Sequence, residues 1–547
     1  MIQEEPIYIT GHMHPDTDSI AAAIAYAFFK RAKGHKAIPC RLGKLNSETK
    51  YLLNRFGFEE PMFLEDARKT LGEIELDSPV AVTPDTTIYE TVTKMTSINR
   101  PSFAVVDEEG KVQGLISKSD LANLGLGDTA LGIDLMRQTS VEDIRKTISG
   151  TLVYDDPEYH LNGKVSIVAL SSQKYANYEI KDRIVILGDD PEAQKALIEK
   201  GAGLLIVVWA KNGVQEDVIE AAKKYHCPVI ISGHGTMNTS RYIYFAPPVK
   251  LVMTKDPVIF HTKDLAENAG RKMMQSRYRT YPVVDNDGKL AGYVSRYHIM
   301  NYKNKRIILV DHNEFSQSVR AVEKAQLLEV VDHHRICDFA TTQPVSFRNE
   351  IVGSTATIIA TMFRENQIPL PTNLAGLLLG AVLSDTLMFQ SPTTTQRDRD
   401  TANILAALAD LDIEEFGNEM FTSSASSDQR SIAELINQDI KYFDINNFHT
   451  MVSQVIVPSI MDIRIRENEV QATVDSFAKR KELDLLVVLF TSVIDNGSIF
   501  FAAGEQAGVI DEAFPNEHGE SHSLHKNILS RKSQVLPILT DFLSKRS

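Results

Sequence analysis

The sequence predicts a multidomain α/β protein, on three observations. The chain opens with "IYITGHMHPDTDSIAAAIAYAFFKR", an apolar strand running through a polar turn into an alanine-rich helix. The same strand-and-turn grammar returns at "RIILVDHNE" and "LLEVVDHHR", some three hundred residues later. Between them a segment occurs twice, with Pro79 to Pro257 and Gly114 to Gly292 sharing one offset of 178 positions.

The first segment predicts a strand at Ile7–Thr10, a helix over about Asp18–Lys33 and a strand at Ala37–Arg41, with Asp18 or Ser19 as the helix cap. Strand, helix, strand is the unit of a parallel sheet, whose ligands bind at the carboxyl ends of the strands.

The repeat reads "PVAVTPDTT…VVDEEGKVQGLISKSDL" and "PVIFHTKDL…VVDNDGKLAGYVSRYHI". Each copy predicts an apolar strand, a helix ending near Met95 or Met273, and a hairpin turning at Gly110 or Gly288. This ordering resembles the cystathionine-β-synthase (CBS) domain, which works as a pair. Between the copies, "RIVILGDD" predicts a strand, "PEAQKALIEKG" a helix with Pro at its start and Gly at its end, and "AGLLIVVWA" a buried strand. "VIEAAKKYHCPVIIS" repeats the helix–strand step. With "GTMNTSRYI", this pattern is similar to the DRTGG domain, although the naming pentapeptide is replaced by "DRIVI". Gly201-Ala202-Gly203 precedes a strand, so it is not a dinucleotide fingerprint.

From Arg306 two strands are expected to end at Asp311-His312 and at Asp332-His333-His334, and a helix to end near Asp385. "TSSASSDQR" (422–430) reads as a linker. The last segment predicts helices, a hairpin turning at Asp495-Asn496-Gly497, and a basic end, "LHKNILSRKSQVLP". His518, His522 and His525 lack the carboxylate grammar of the other motifs and are expected on a solvated loop. The expected divisions are 1–62, 63–126, 127–250, 251–305, 306–423 and 424–547.

Bulk properties narrow the function. The chain has 547 residues, 43% of them hydrophobic, enough for several cores. A net charge of −14 argues against a general nucleic-acid binder. Cys40, Cys227 and Cys337 are far apart, which excludes a cysteine-based zinc site and fits a reducing cytoplasm. The start is acidic with no apolar leader core, and "LAGLLLGAVL" is about half of a membrane span, so a cytoplasmic protein without membrane association is expected.

The chemistry lies at the strand ends: His12, Asp16 and Asp18; Asp311; His333 and His334; and Asp385. In a parallel sheet these positions share one edge. Four converging carboxylates repel strongly at low dielectric unless cations sit among them. Imidazole and carboxylate without thiolate suit Mn²⁺, Co²⁺ or Mg²⁺. Two such ions sharing a carboxylate, roughly 3.5–4 Å apart, activate a water and clamp a phosphoryl oxygen.

GH-x-x-PDTDS, DHNE, DHHR and SD-T-L-x-F together resemble the DHH phosphoesterase superfamily, and "SRK" near the end narrows this to family II inorganic pyrophosphatases. With the repeats, the chain resembles the CBS-domain-containing, nucleotide-regulated members. The resemblance implies a DHH parallel-sheet domain and a C-terminal α/β substrate-binding domain, interrupted by a CBS pair and a DRTGG-like α/β domain. It implies hydrolysis of pyrophosphate to two phosphates. His12 and Asp16 would hold one metal and Asp18, His333 and Asp385 the other, with Asp311 bridging. His334 would face substrate, while Lys441, Arg531 and Lys532 bind phosphates. A guanidinium fork beside an ammonium suits a small polyanion. The implied cofactors are two Mn²⁺ or Co²⁺ per subunit and Mg²⁺ with substrate. The family's first motif has a small polar residue where this chain has His14, expected near the metals as a modifier of metal preference or an outer hydrogen-bond donor.

CBS pairs commonly hold ribose with a Ser/Thr and an Asp three apart. The first repeat has Ser117 and Asp120; the second has Ser295 but His298. Lys255, Arg277, Tyr278 and Arg279 supply charge and a ring for phosphate and adenine. The expectation is an asymmetric site for AMP, ADP, ATP or diadenosine polyphosphates, in a homodimer joined through the regulatory regions. Two competing functions are another DHH enzyme, an exopolyphosphatase or a nuclease cutting short oligonucleotides or cyclic dinucleotides, and a catalytically dead nucleotide sensor. The first usually carries a GGGH-type motif absent here, and the second is disfavoured because every expected metal ligand is present.

Overall fold

The computed structural model describes residues 5–121, 129–169, 179–336, 340–341, 343–426, 431–438, 440–457, 459–516 and 522–546. It divides into two units, Met1–Arg68 with Lys303–Ser547, and Lys69–Tyr302.

The first unit begins with a six-stranded parallel sheet. Its order is Ser346–Asn349, Gln326–Asp332, Arg306–Val310, Ile7–Thr10, Ala37–Arg41, Met62–Phe63. The chain steps outward from Ile7–Thr10 in one direction, returns to the centre at Arg306–Val310, and steps outward in the other. The order therefore reverses between these two central strands, where the connecting loops diverge and leave a crevice. Ile308, Val310 and Val331 join Ile7 and Ile9 in a core under six helices, while Ile307, Leu309 and Val330 pack on the opposite face. This is the period-2 alternation of a sheet covered on both sides.

The helix Thr17–Ala32 is capped by Asp16, whose carboxylate accepts from the Ser19 amide, and not by Asp18 or Ser19 as expected. Asp18 lies inside the first turn and is fully buried. The helix Thr372–Asp385 is buried from Leu374 through Leu383, which explains an apolar run without amphipathic spacing. Each such leucine contributes about 1.5–3 kcal/mol by leaving water. Gly376 and Gly380 admit the helix Ser47–Phe56 at close range: a Cβ on them would meet Phe56 at 2.2 Å and Leu52 at 2.8 Å.

The helix Ile413–Ser426 runs through the first half of the expected linker, and 427–430 lie outside the described residues. The helix is anchored just ahead of that stretch, where Phe416, Met420 and Phe421 reach the core, so the polar composition does not end it at 422. A second sheet follows in the order Ile440–Ile445, Phe448–Ile456, Leu485–Ser492, Gly497–Ala503, His525–Lys526. Helices cover both of its faces. His522 stacks on Phe501 and His525 lies in a short strand against Phe500, so neither is on a solvated loop; His518 and Cys337 lie outside the described residues.

The second unit contains two hairpins, Ser102–Val106 with Val112–Ser117 and Thr280–Val284 with Leu290–Ser295, turning at the left-handed Gly110 and Gly288. Ser102 Oγ donates to Thr280 Oγ1 across the equivalent positions of the two copies (3.1 Å). The expected leading strands are shorter: a single bridge at Val82 and the pair Phe260–His261. A five-stranded sheet, four strands parallel, carries helices on both faces between the copies.

Candidate metal centre

Gly11 carries the chain from the Ile7–Thr10 strand into the first motif, and no side chain fits there, since a Cβ would lie 1.9 Å from Ser19 Oγ. His12 Nε2 then stands 3.1 Å from Asp16 Oδ2 and 3.5 Å from Asp311 Oδ2. Asp311 follows the neighbouring strand directly. It adopts a left-handed backbone (φ 61°), uncommon for a non-glycine residue, and is buried. His333 Nε2 lies 3.5 Å from Asp311 Oδ1 and 3.4 Å from Asp385 Oδ2. The ligand atoms form two principal groups, His12 with Asp16 and Asp311, and Asp18 with Asp311, His333 and Asp385. Asp311 belongs to both. His334 joins a third group with Asp311 and His333. His14 is exposed and belongs to none of them.

Surrounding hydrogen bonds fix these side chains. Asp18 accepts from Ser354 Oγ and from the amides of Thr355 and Ala356 at the start of the Thr355–Glu365 helix. Thr355 Oγ1 donates to Asp311 Oδ1 (3.0 Å). His333 Nδ1 is bonded to the Val352 carbonyl (3.0 Å), so its Nε2 carries the free lone pair. Asp332, absent from the expected site residues, accepts from both histidine amides, from His334 Nδ1 (2.9 Å) and from Asn313 Nδ2. It orients the pair and belongs to none of the ligand groups. Its signal in the sequence was its place in the DHH triplet.

The electrostatics are those of a cation site. Burial, then the Asp18 and Asp16 charges, push both Asp311 and Asp385 well above the ordinary carboxylate range. Burial, then Asp16, raises Asp18 to about 6. Burial also opposes ionisation of Asp16, but His12 overcomes it and holds Asp16 at about 2. Burial, then the His334 charge, lowers His333 to about 4, favouring the neutral ring a metal requires. Asp311 Oδ2 and His333 Nε2 are buried without a hydrogen-bond partner. Asp311 Oδ2 faces His12 Nε2, and His333 Nε2 faces Asp311 Oδ1 and Asp385 Oδ2; orphaned atoms so placed among carboxylates fit divalent ions with oxygen and imidazole ligands. Described cysteines Cys40 and Cys227 are buried elsewhere.

The basic residues sit in the C-terminal domain. Lys441 pairs with Val452 across two strands, and Arg531 Nη1 donates to the Val452 carbonyl, so the two are neighbours. The Lys441 charge is felt at His12. Lys532 is exposed beside the buried Arg531.

In the second unit, Asp120 Oδ2 accepts from the amide and hydroxyl of Ser117 (2.8 and 2.7 Å). His298 Nδ1 takes the equivalent bonds from Ser295 (3.0 and 2.8 Å), so the histidine replaces aspartate as the helix-capping acceptor. Tyr278 is exposed, edge-on to Tyr281, between the exposed Arg277 and Arg279; Lys255 is also exposed.

Comparison with known proteins places this arrangement in context. The DHH family, N-terminal domain, matches residues 6–382, and the DHHA2 domain matches 418–542. The chain is 37% identical over 99% of both chains to a cobalt-dependent inorganic pyrophosphatase of Clostridium perfringens. It is 33% identical, again over 99% of both, to a probable manganese-dependent inorganic pyrophosphatase of Thermotoga maritima. A crystal structure of the CBS and DRTGG domains of the regulatory region of the Clostridium perfringens pyrophosphatase, complexed with the activator diadenosine tetraphosphate, covers 42% of this chain and 99% of its own. That similarity has 29% identity and a TM-score of 0.38.

Proposed function

Since the chain belongs to the DHH family, among its metal-dependent inorganic pyrophosphatases, we propose that its six-residue cluster holds two divalent ions and hydrolyses pyrophosphate between them and the C-terminal basic residues. The observation that carries this reading is the sharing of Asp311 between two ligand groups. His12 and Asp16 would hold one ion and Asp18, His333 and Asp385 the other, with Asp311 common to both ligand groups. Mn²⁺ or Co²⁺ is the resident metal, and Mg²⁺ accompanies substrate. When bound, the ions supply Lewis-acid charge to phosphoryl oxygens and lower the pKa of a water nearby.

The rest is done by side chains. Arg531, Lys532 and Lys441 neutralise the substrate's oxygens, the guanidinium as a fork and the ammonium groups as point charges. Asp332 fixes the His334 ring at Nδ1, leaving Nε2 for a substrate oxygen, where it polarises or protonates the leaving phosphate. Hydrolysis adds water's oxygen to one phosphorus and breaks the bridging P–O bond, whose electron pair leaves with the second phosphate.

The paired repeats form the regulatory part. Asp120 and His298 each accept from the serine three residues before, but Asp120 carries a second carboxylate oxygen suited to ribose hydroxyls, which the imidazole of His298 does not offer. Lys255, Arg277, Tyr278 and Arg279 contribute phosphate and adenine contacts mainly from the second repeat. AMP and ADP inhibit; ATP or diadenosine polyphosphates activate. The enzyme works in the cytoplasm as a homodimer, for which light scattering at micromolar concentration should give twice the chain mass. Among the described residues no helix is long and apolar enough to cross a membrane.

The test is phosphate release from pyrophosphate, with a short dinucleotide as control. Rapid release from pyrophosphate alone is expected; preference for the dinucleotide would assign the site to phosphodiester cleavage instead.

A further inference from the structure

Glu48 is a carboxylate that the ligand scheme leaves unused. It lies in the first turn of the helix Ser47–Phe56, capped by Asn46. Its Oε1 accepts two short hydrogen bonds, from Thr17 Oγ1 and from Ser384 Oγ, both 2.5 Å. Thr17 stands between Asp16 and Asp18, and Ser384 immediately precedes Asp385. One oxygen thus ties the start of the Thr17–Ala32 helix to the end of the Thr372–Asp385 helix. Those two ends carry three of the six candidate ligands. The anchor is rigid, because Leu52 and Leu53 of the same short helix are buried in the core and Leu52 lies against Gly380.

We propose that Glu48 is a positioning residue for the metal centre, setting the separation between Asp16 and Asp18 on one side and Asp385 on the other by clamping Thr17 and Ser384. This rests on the ligand assignment proposed above. A simple helix staple would affect only stability, whereas a positioning residue affects the geometry presented to the ions. Outer hydrogen bonds to metal-site residues commonly change metal affinity by about 10- to 100-fold when removed.

The experiment is equilibrium dialysis of the full-length apo protein against Co²⁺, with the visible Co²⁺ spectrum and the apo melting temperature recorded alongside. Wild type should bind two Co²⁺ per chain. Glu48→Ala should bind its weaker-held Co²⁺ about 10- to 100-fold less tightly, with an altered spectrum. Glu48→Gln keeps an acceptor oxygen for both hydroxyls and should stay within about threefold of wild type. A lowered apo melting temperature with unchanged Co²⁺ affinity in Glu48→Ala would overturn the proposal in favour of a staple. Equal losses in Glu48→Gln and Glu48→Ala would overturn it in favour of charge alone. If Glu48→Ala does not fold, Ser384→Ala removes one arm of the clamp. It should weaken Co²⁺ binding about tenfold, and wild-type affinity there would overturn the proposal. A wild-type protein binding fewer than two Co²⁺ would overturn the ligand assignment and this inference with it.

Discussion

Asp385 closes the second ligand group, and its environment makes two opposite predictions for Asp385→Asn. With metal, the variant loses a charged ligand, so turnover should fall by orders of magnitude in a steady-state assay. Without metal, the outcome reverses. Burial and the Asp18 and Asp16 charges push the Asp385 carboxyl well above its ordinary value. A carboxyl raised in the folded state penalises folding as pH rises above its unfolded value of about 4. Asparagine removes that penalty, so apo Asp385→Asn should melt no lower than wild type at neutral pH. Its advantage should shrink as pH falls toward about 4, which thermal unfolding in chelator can measure. His334→Gln should mainly lower kcat, while Lys532→Ala should mainly raise KM, because a phosphate contact is chiefly binding. The candidate ligands were legible because each follows an apolar strand or stands at a helix terminus with a side chain of metal-binding type. What Asp332 and Glu48 do was not, although Asp332 itself stands in the DHH triplet. Their roles depend on partners such as Asn313, Thr17 and Ser384 that only the folded chain brings near.

At the scale of elements, strand ends and helix termini supply the proposed ligands, and neighbouring helix starts hold them in place. Asp398 illustrates the second task. It is buried in the first turn of the Gln396–Ala409 helix and accepts from the Gly353 and Thr395 amides and from the Thr357 and Thr395 hydroxyls. Gly353 and Thr357 flank the residues that hydrogen-bond Asp18. Asp398→Ala would orphan buried donors, at a cost of roughly 2–4 kcal/mol, readable by chemical denaturation of the apo protein. Parallel-sheet grammar was visible in the sequence because these strands are apolar on both faces and bounded by polar turns. The Asp16 cap was not, since Asp16, Asp18 and Ser19 are all competent caps and the register of the turn chooses among them. Equally hidden were Leu387, Met388 and Phe389, three successive left-handed residues just after Asp385. Local propensity disfavours that conformation, and Met388 and Phe389 take it while packing against the core.

For the whole molecule, the second unit is inserted at one place in the first. Its two junctions lie side by side: the Lys305 amide donates to the Ala67 carbonyl, and Lys305 Nζ donates to the Asp66 and Arg68 carbonyls. Replacing 69–302 with a short flexible linker should therefore leave the sheet intact. The shortened protein should hydrolyse pyrophosphate and ignore millimolar AMP, whereas the full chain should respond to AMP in activity and melting temperature. The insertion returns directly into the Arg306–Val310 strand that leads to Asp311, a route for coupling by chain continuity. The repeat itself was plain from its constant offset, but the exchange of Asp for His298 as a capping acceptor needed coordinates. The proposed function depends on divalent ions at the strand-end cluster. The most direct test is phosphate release from pyrophosphate after exhaustive dialysis against chelator, followed by addition of Mn²⁺, Co²⁺ or Zn²⁺. Activity should fall to background in chelator and return with Mn²⁺ or Co²⁺ better than with Zn²⁺; full activity in chelator would contradict the account.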